Sequence, residues 1–198
     1  MRVPPTDWVP PVKLCALAIS PRSGSGMLAD IIRTTGSLGR PEEWFNFAMP
    51  WAGDLAPNST VQDRCWLILK KGTTANGVAG VKMFASQFID VEKEIEFLSW
   101  FPTPHWIWLR RRGLLRQAIS LSLAKQGDAW TSMQVRQCPV SYDSAQIRAC
   151  MEEIVREEVL WTDYFAAKST SPPVFGTRKS SGGSPPRSAR SRSRWALS

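Results

Sequence analysis

Arg22, Ser23, Gly24, Ser25 and Gly26 follow directly on a short apolar run, Leu14–Ile19, and precede a stretch of helical periodicity. Strand, small-residue turn, helix is an arrangement that builds anion sites. The helix N-terminus offers unpaired N–H groups and partial positive charge, glycines let the backbone close on a phosphate, and hydroxyls and a forked guanidinium add donors. The same residues also suit a plain connecting turn, and on their own they do not choose. The segment is not Gly-x-x-x-x-Gly-Lys-[Ser/Thr] and no lysine follows it, so ATP or GTP chemistry lacks its phosphate lysine. A nucleoside phosphate kinase, the competing enzyme class, would also need a magnesium carboxylate, and none stands at the matching place.

Two more charged groups fall near the ends of apolar segments. Glu42 and Glu43 follow Pro41. They read either as a general base for a hydroxyl proton or as acidic residues favoured in the first turn of a helix. Arg110, Arg111 and Arg112 close another apolar run and read either as anion contacts or as a solvated charge cluster. Lys82 is a strand-edge lysine or one more anion contact. Cys15, Cys65, Cys138 and Cys150 show no Cys-x-x-Cys spacing, and His105 is the single histidine. Neither a metal site nor a disulfide framework is expected, and a reducing cytoplasm is the default compartment.

The elements that must hold these groups alternate. Lys13–Ser20, Gly77–Phe84 and His105–Arg110 read as buried strands. Ser25–Thr35 carries Leu28, Ile31 and Ile32 at helical spacing and ends at Gly36. Pro41 is placed to open a short helix, and Asn58 or Ser59 to cap one running to Lys71. Phe88, Val91, Ile95 and Leu98 share a helical face, as do Leu114, Leu115, Ala118, Ile119 and Leu121. Asp143 and Gln146 have the spacing of a capping box ahead of a long helix through Phe165. Strands alternating with helices predict an α/β fold with a largely parallel sheet and flanking helices.

Charge divides the 198-residue chain at about the same place as hydropathy does. Of the +8 net charge, seven basic and no acidic residues fall in 166–198, which leaves 18 basic against 17 acidic residues in 1–165. A near-neutral body excludes reading the whole molecule as a nucleic-acid binder. Residues 1–165 are expected to form one domain, with 1–12 as a proline-rich extended lead-in. The Ser/Pro/Arg-rich segment 166–198 is expected to be disordered, a solvated tail or a contact for RNA or an acidic partner. The six-residue run Leu14–Ile19 is far short of the roughly 20 residues a membrane helix needs, so no membrane partner is expected.

Read in order, several segments together resemble the bacterial trehalose 2-sulfotransferase family over about residues 14–165. They are Pro21-Arg22-Ser23-Gly24-Ser25, Arg33-Thr34-Thr35-Gly36 and Gly39-Arg40-Pro41-Glu42-Glu43-Trp44-Phe45, then Gly77-Val78-Ala79-Gly80-Val81-Lys82-Met83 with Gln87 after it. Trp108-Leu109-Arg110-Arg111-Arg112, Gln117-Ala118-Ile119-Ser120 and Trp130 complete the set. The resemblance implies a P-loop-like sulfotransferase core and a homodimer. It implies transfer of a sulfuryl group, without metal, from 3′-phosphoadenosine 5′-phosphosulfate to a sugar hydroxyl, with trehalose-like acceptors. By it, Arg22, Ser23, Gly24, Ser25, Gly26 and Met27 cradle the 5′-phosphosulfate, Arg111 and Ser120 hold the 3′-phosphate, and Glu43 is the general base. Trp44, Trp51 and Trp130 are candidates for stacking on sugar rings, with core packing the alternative. The chain departs from the family pattern at Gly26, where threonine is usual, and at Ala85-Ser86, where Trp-Asn is. After Phe165 the family's further strand and C-terminal region give way to the basic tail, as in a shortened copy. That leaves a remnant which only binds the nucleotide as the alternative function.

Overall fold

The computed structural model describes residues 2–48, 55–56, 58–130, 134–135 and 137–177. Four strands, β1 (Lys13–Ile19), β2 (Val78–Phe84), β3 (Pro104–Arg111) and β4 (Val174–Thr177), form one sheet in the order β2-β1-β3-β4. Every pairing is parallel. The helices are α1 (Ser25–Thr34), α2 (Val61–Leu67), α3 (Ala85–Glu94), α4 (Phe97–Trp100), α5 (Leu114–Gly127) and α6 (Ser144–Ala167).

Both faces of β1 are buried, which is why its sequence is a continuous apolar run rather than an alternating one. Cys15, Leu17 and Ile19 pack with Ile32 and Leu28 of α1 and with Leu109 of β3. On the other face the register sets Ala16 beside Trp106 and Ala18 beside Trp108. The two alanines leave room for the two indoles, and α6 closes over them with Trp161 and Phe165. Those two rings stack at 5.4 Å and 14°, and Trp161 meets Trp106 at 5.1 Å. α5 packs on α6 through Ala118, Leu121, Ile147, Cys150 and Ile154.

Several local expectations change. Pro41 opens no helix. Residues 39–42 run beside the outer edge of β2, where Glu42 pairs in parallel with Val81 and the Lys82 N–H donates to the Glu42 carbonyl at 3.0 Å. Two glycines permit the approach. A Cβ on Gly39, which has φ 78°, would stand 2.2 Å from Gly80 N, and one on Gly80 would stand 2.6 Å from Arg40 N. Thr60, not Asn58 or Ser59, caps α2 in a reciprocal box with Asp63, and the helix passes into a π-helical turn, Ile68–Gly72. α3 stops at Glu94 and leaves Leu98 exposed on α4. Asp143 caps α6 by accepting from the Gln146 N–H, but the Gln146 side chain turns away to accept from Ser122 and Gln126, so only half of the box forms.

Both ends of the chain carry more structure than composition indicated. The lead-in is extended and anchored: the Trp8 indole N–H donates to Trp100 O at 2.9 Å, and the Arg2 N–H to Glu94 O at 2.9 Å. The boundary at 165 falls short, because α6 continues to Ala167 and β4 pairs Val174–Thr177 with Trp108–Arg111. The free edge of β3 supplies ladder partners to a four-residue segment with no pattern of its own. Residues 178–198 of the expected tail lie outside the described residues.

Candidate functional site

The loop after β1 leaves the carboxyl edge of the sheet, where ligands bind in open parallel α/β folds. Its backbone is bent by two left-handed residues, Arg22 at φ 60° and Gly24 at φ 94°. Gly24 accounts for itself. Arg22, lacking a glycine's freedom, is held by its surroundings. Every carbonyl from Ile19 to Arg22 has a partner, that of Ser20 within the loop and the other three from α6, α5 and β3. Trp161 Nε1 donates to Ile19 O at 3.0 Å, the Ser23 N–H to Ser20 O at 3.2 Å, Gln117 Nε2 to Pro21 O at 2.7 Å and Arg111 Nη1 to Arg22 O at 3.2 Å. Fixing the carbonyls on the α5/α6/β3 side fixes the peptide planes of the loop.

α1 then starts at Ser25 with no side-chain hydrogen bond capping it, so the N–H groups of its first turn have no partner within the helix. Ser25, Gly26 and Met27 form that turn, with Gly26 and Met27 exposed. Ser23 is fully buried beneath them. A Cβ on Gly26 would meet nothing within 4 Å, so the space there is open to a larger residue such as threonine.

The three arginines that close β3 go three ways. Arg110 pairs with Glu158 of α6 and lies 4.8 Å from the Trp108 ring. Arg112 runs beside Gly176 of β4. Arg111 alone reaches the loop, through its bond to Arg22 O. The Arg22 guanidinium turns toward α5, where Nε donates to Ser120 Oγ at 3.1 Å and Nη1 to the Trp130 carbonyl. Arg22, Arg111 and Ser120, far apart in sequence, therefore converge. Burial, and then the nearby Arg111 charge, lower the pKa of Arg22 from its ordinary value. Among the described residues no carboxylate forms an ion pair with either guanidinium. Two cations crowded without a counter-ion are costly unless an anion joins them. Beside them a cleft of about 260 Å³ opens between β3, α5 and α6, lined by Arg110, Arg111, Leu114, Gln117, Glu158 and Val159 among others.

Glu43 lies apart from this cluster. One oxygen is 3.8 Å from Lys82 Nζ and the other accepts from Asn46 Nδ2 at 2.9 Å. Lys82 also pairs with Glu42 at 3.5 Å, and Glu42 with Arg33 at 3.3 Å, so Lys82 is a partner of the two carboxylates rather than of the loop. With no helix at Pro41, attraction to a helix N-terminus does not explain Glu43. Since β1 lies between β2 and β3, its loop emerges between the Glu43 side and the Arg111 side of the sheet edge.

A model of the Stf0 sulphotransferase family matches residues 15–174. The chain belongs to that family. No curated protein matches it. The matched span runs from β1 to the first residue of β4, so it takes in every element of this site and passes the boundary at 165. Membership in the sulphotransferase family makes the α/β core a transferase scaffold. Among the described residues no helix is long and apolar enough to cross a membrane, and no three His, Cys, Asp or Glu side chains are grouped to hold a metal ion. Of the tryptophans considered for sugar stacking, Trp44 is buried with its indole N–H on Arg40 O and Gly80 O, while Trp130 is nearly half exposed. Trp51 lies outside the described residues. Sequence reasoning gave no role to Gln117, which sits inside one of the segments that carry the resemblance, and none to Glu158 and Trp161, which fall within the long helix expected through Phe165.

Proposed function

We propose that this chain binds 3′-phosphoadenosine 5′-phosphosulfate and moves its sulfuryl group to a carbohydrate hydroxyl, with a trehalose-like disaccharide as acceptor. The observation that carries the donor is the convergence of Arg22, Arg111 and Ser120 at the strand edge without a carboxylate counter-ion among the described residues. In this reading Arg111 and Ser120 hold the 3′-phosphate, with the Arg22 guanidinium between them and the loop. The loop and the first turn of α1 from Arg22 to Met27 receive the 5′-phosphosulfate on the backbone N–H groups of Arg22 and of Gly24 to Met27, the Ser23 N–H being turned back onto Ser20 O.

Glu43 is the general base. As the acceptor oxygen attacks sulfur, the bond from sulfur to the bridging phosphate oxygen breaks. Glu43 takes the hydroxyl proton, and adenosine 3′,5′-bisphosphate leaves with the bond's electron pair. The arginines and N–H groups stand where that leaving charge grows. Lys82 and Asn46 hold one Glu43 oxygen each, which orients the carboxylate.

Thermal unfolding with adenosine 3′,5′-bisphosphate, against ADP and ATP, tests the donor. At 100 times its dissociation constant a ligand adds about 2.7 kcal/mol, or roughly 5–10 °C for a domain of this size. The bisphosphate should give this shift and ADP a clearly smaller one. Equal shifts, or none, would refute a 3′-phosphate site.

A further inference from the structure

We propose that Gln117 and Glu158 are positioning residues for the phosphate loop, acting through the Ser20 hydroxyl to decide whether the loop can receive a 5′-phosphate group. The inference rests on the nucleotide reading above and adds to it two residues that act through the loop entrance.

Ser20 is buried at the point where β1 becomes the loop, and its Oγ is shared. It donates to Glu158 Oε1 at 2.9 Å and accepts from Gln117 Nε2 at 3.1 Å. The same Gln117 nitrogen donates to Pro21 O at 2.7 Å, and Gln117 is itself buried on α5. The second Glu158 oxygen accepts from Arg110 Nε, which fixes that carboxylate against β3. A chain of hydrogen bonds therefore runs from β3 through α6 and the loop entrance to α5. Buried polar groups so connected allow few alternatives, since any rotation leaves a donor or acceptor without a partner.

The consequence for binding is directional. Peptide N–H and C=O groups point opposite ways, so holding the Pro21 carbonyl toward α5 turns the Arg22 N–H to the outer side of the loop, ahead of the N–H groups of Gly24 to Met27. Those N–H groups serve only the 5′ end of the nucleotide. The 3′-phosphate is served chiefly by Arg111 and Ser120, whose backbones belong to β3 and α5. Loosening the entrance should therefore weaken recognition of the 5′ group and spare the 3′ group.

The readout is a ratio of dissociation constants, adenosine 3′-monophosphate over adenosine 3′,5′-bisphosphate, measured by titration calorimetry on the full chain. It isolates what the 5′-phosphate contributes. In Gln117→Leu and in Glu158→Leu the ratio should fall about tenfold, the factor that goes with one charge-assisted hydrogen bond. Glu158→Gln retains an acceptor for Ser20 and should keep most of the parental ratio. Ser20→Ala, the smallest change, serves if either leucine variant does not fold, and should lower the ratio in the same way. Equal loss of affinity for both nucleotides, or no loss, leaves the ratio unchanged and overturns the inference, because a merely structural role acts on both alike. A parental chain that binds bisphosphate no better than ADP overturns the donor reading and this inference with it. A parental preference with unchanged ratios in the variants overturns this inference alone.

Discussion

Replacing Arg22 by glycine and by alanine separates what the residue does for the loop from what it does for a ligand. Both changes remove the guanidinium and its bonds to Ser120 and the Trp130 carbonyl, so those losses cancel in the comparison. What differs is the backbone at φ 60°. A left-handed conformation costs a residue with a Cβ about 1–2 kcal/mol, which glycine escapes. The greater freedom of glycine in the unfolded chain works the other way, by about 0.4–1 kcal/mol. The glycine variant should then be the more stable by about 0.5–1 kcal/mol. Scanning calorimetry should place its melting temperature about 1–4 °C above that of the alanine variant. With adenosine 3′,5′-bisphosphate both should lose the same binding, about 1.5–3 kcal/mol for a charged hydrogen bond, or roughly 10- to 150-fold in affinity. An alanine variant melting at or above the glycine variant would refute the left-handed loop. A glycine variant with parental affinity would refute the guanidinium contact and leave the anion to the backbone.

Glu43→Gln should slow sulfate transfer to trehalose about 10²–10⁴-fold while bisphosphate affinity persists; transfer at the parental rate would remove the base assignment. Ending the chain at Thr170 should cost about 1–2 kcal/mol in denaturant titration, since β4 and the bond from the Trp108 N–H to Pro173 O are lost; unchanged stability would mean that β4 adds nothing to the fold. Burial, with Glu92 nearby, pushes the Tyr164 hydroxyl up to about 12. An unfolded tyrosine releases its proton near 10, so between about pH 10 and 12 the folded state holds the extra proton and stability falls as pH rises. Tyr164→Phe should flatten that decline, and an identical slope in both proteins would count against the assignment.

Where the chain's own pattern settles an element, sequence and structure agree. Lys13–Ile19 is apolar at every interior position because both faces are covered, and the turn from Arg22 to Gly26 can hardly be read as anything but a break. Disagreement appears where a distant segment decides. Pro41-Glu42-Glu43 has good helix-start chemistry, but the glycine-on-glycine contact at 39 and 80 lets it lie along β2 instead. β4 has no alternation, carries glycine at 176, and exists because β3 presents a free edge. The site divides in the same way. Arg22, Arg111 and Glu43 were legible as charged residues beside strand ends. Gln117, Glu158 and Trp161 were not, because their work is to satisfy carbonyls and a hydroxyl reached only across the fold.

The central place of β1 has a cost during synthesis. β1 is made before its two partners, β2 and β3, and neither exists when it leaves the ribosome. From Ile19 to Arg111 a ribosome needs about 5–20 s at ordinary elongation rates. Through that time an apolar strand whose one charge is Lys13 waits without its sheet, the kind of segment that self-associates or binds a holdase. Chains stalled before Pro104 should be captured by such a chaperone through Leu14–Ile19, and chains stalled well past Arg111 should not; equal capture would show that β1 is shielded early by something other than its sheet. Lys13 at its edge is one natural guard. Ala16 and Ala18 are another, for the small side chains that make way for two tryptophans in the finished sheet also leave the waiting strand less adhesive.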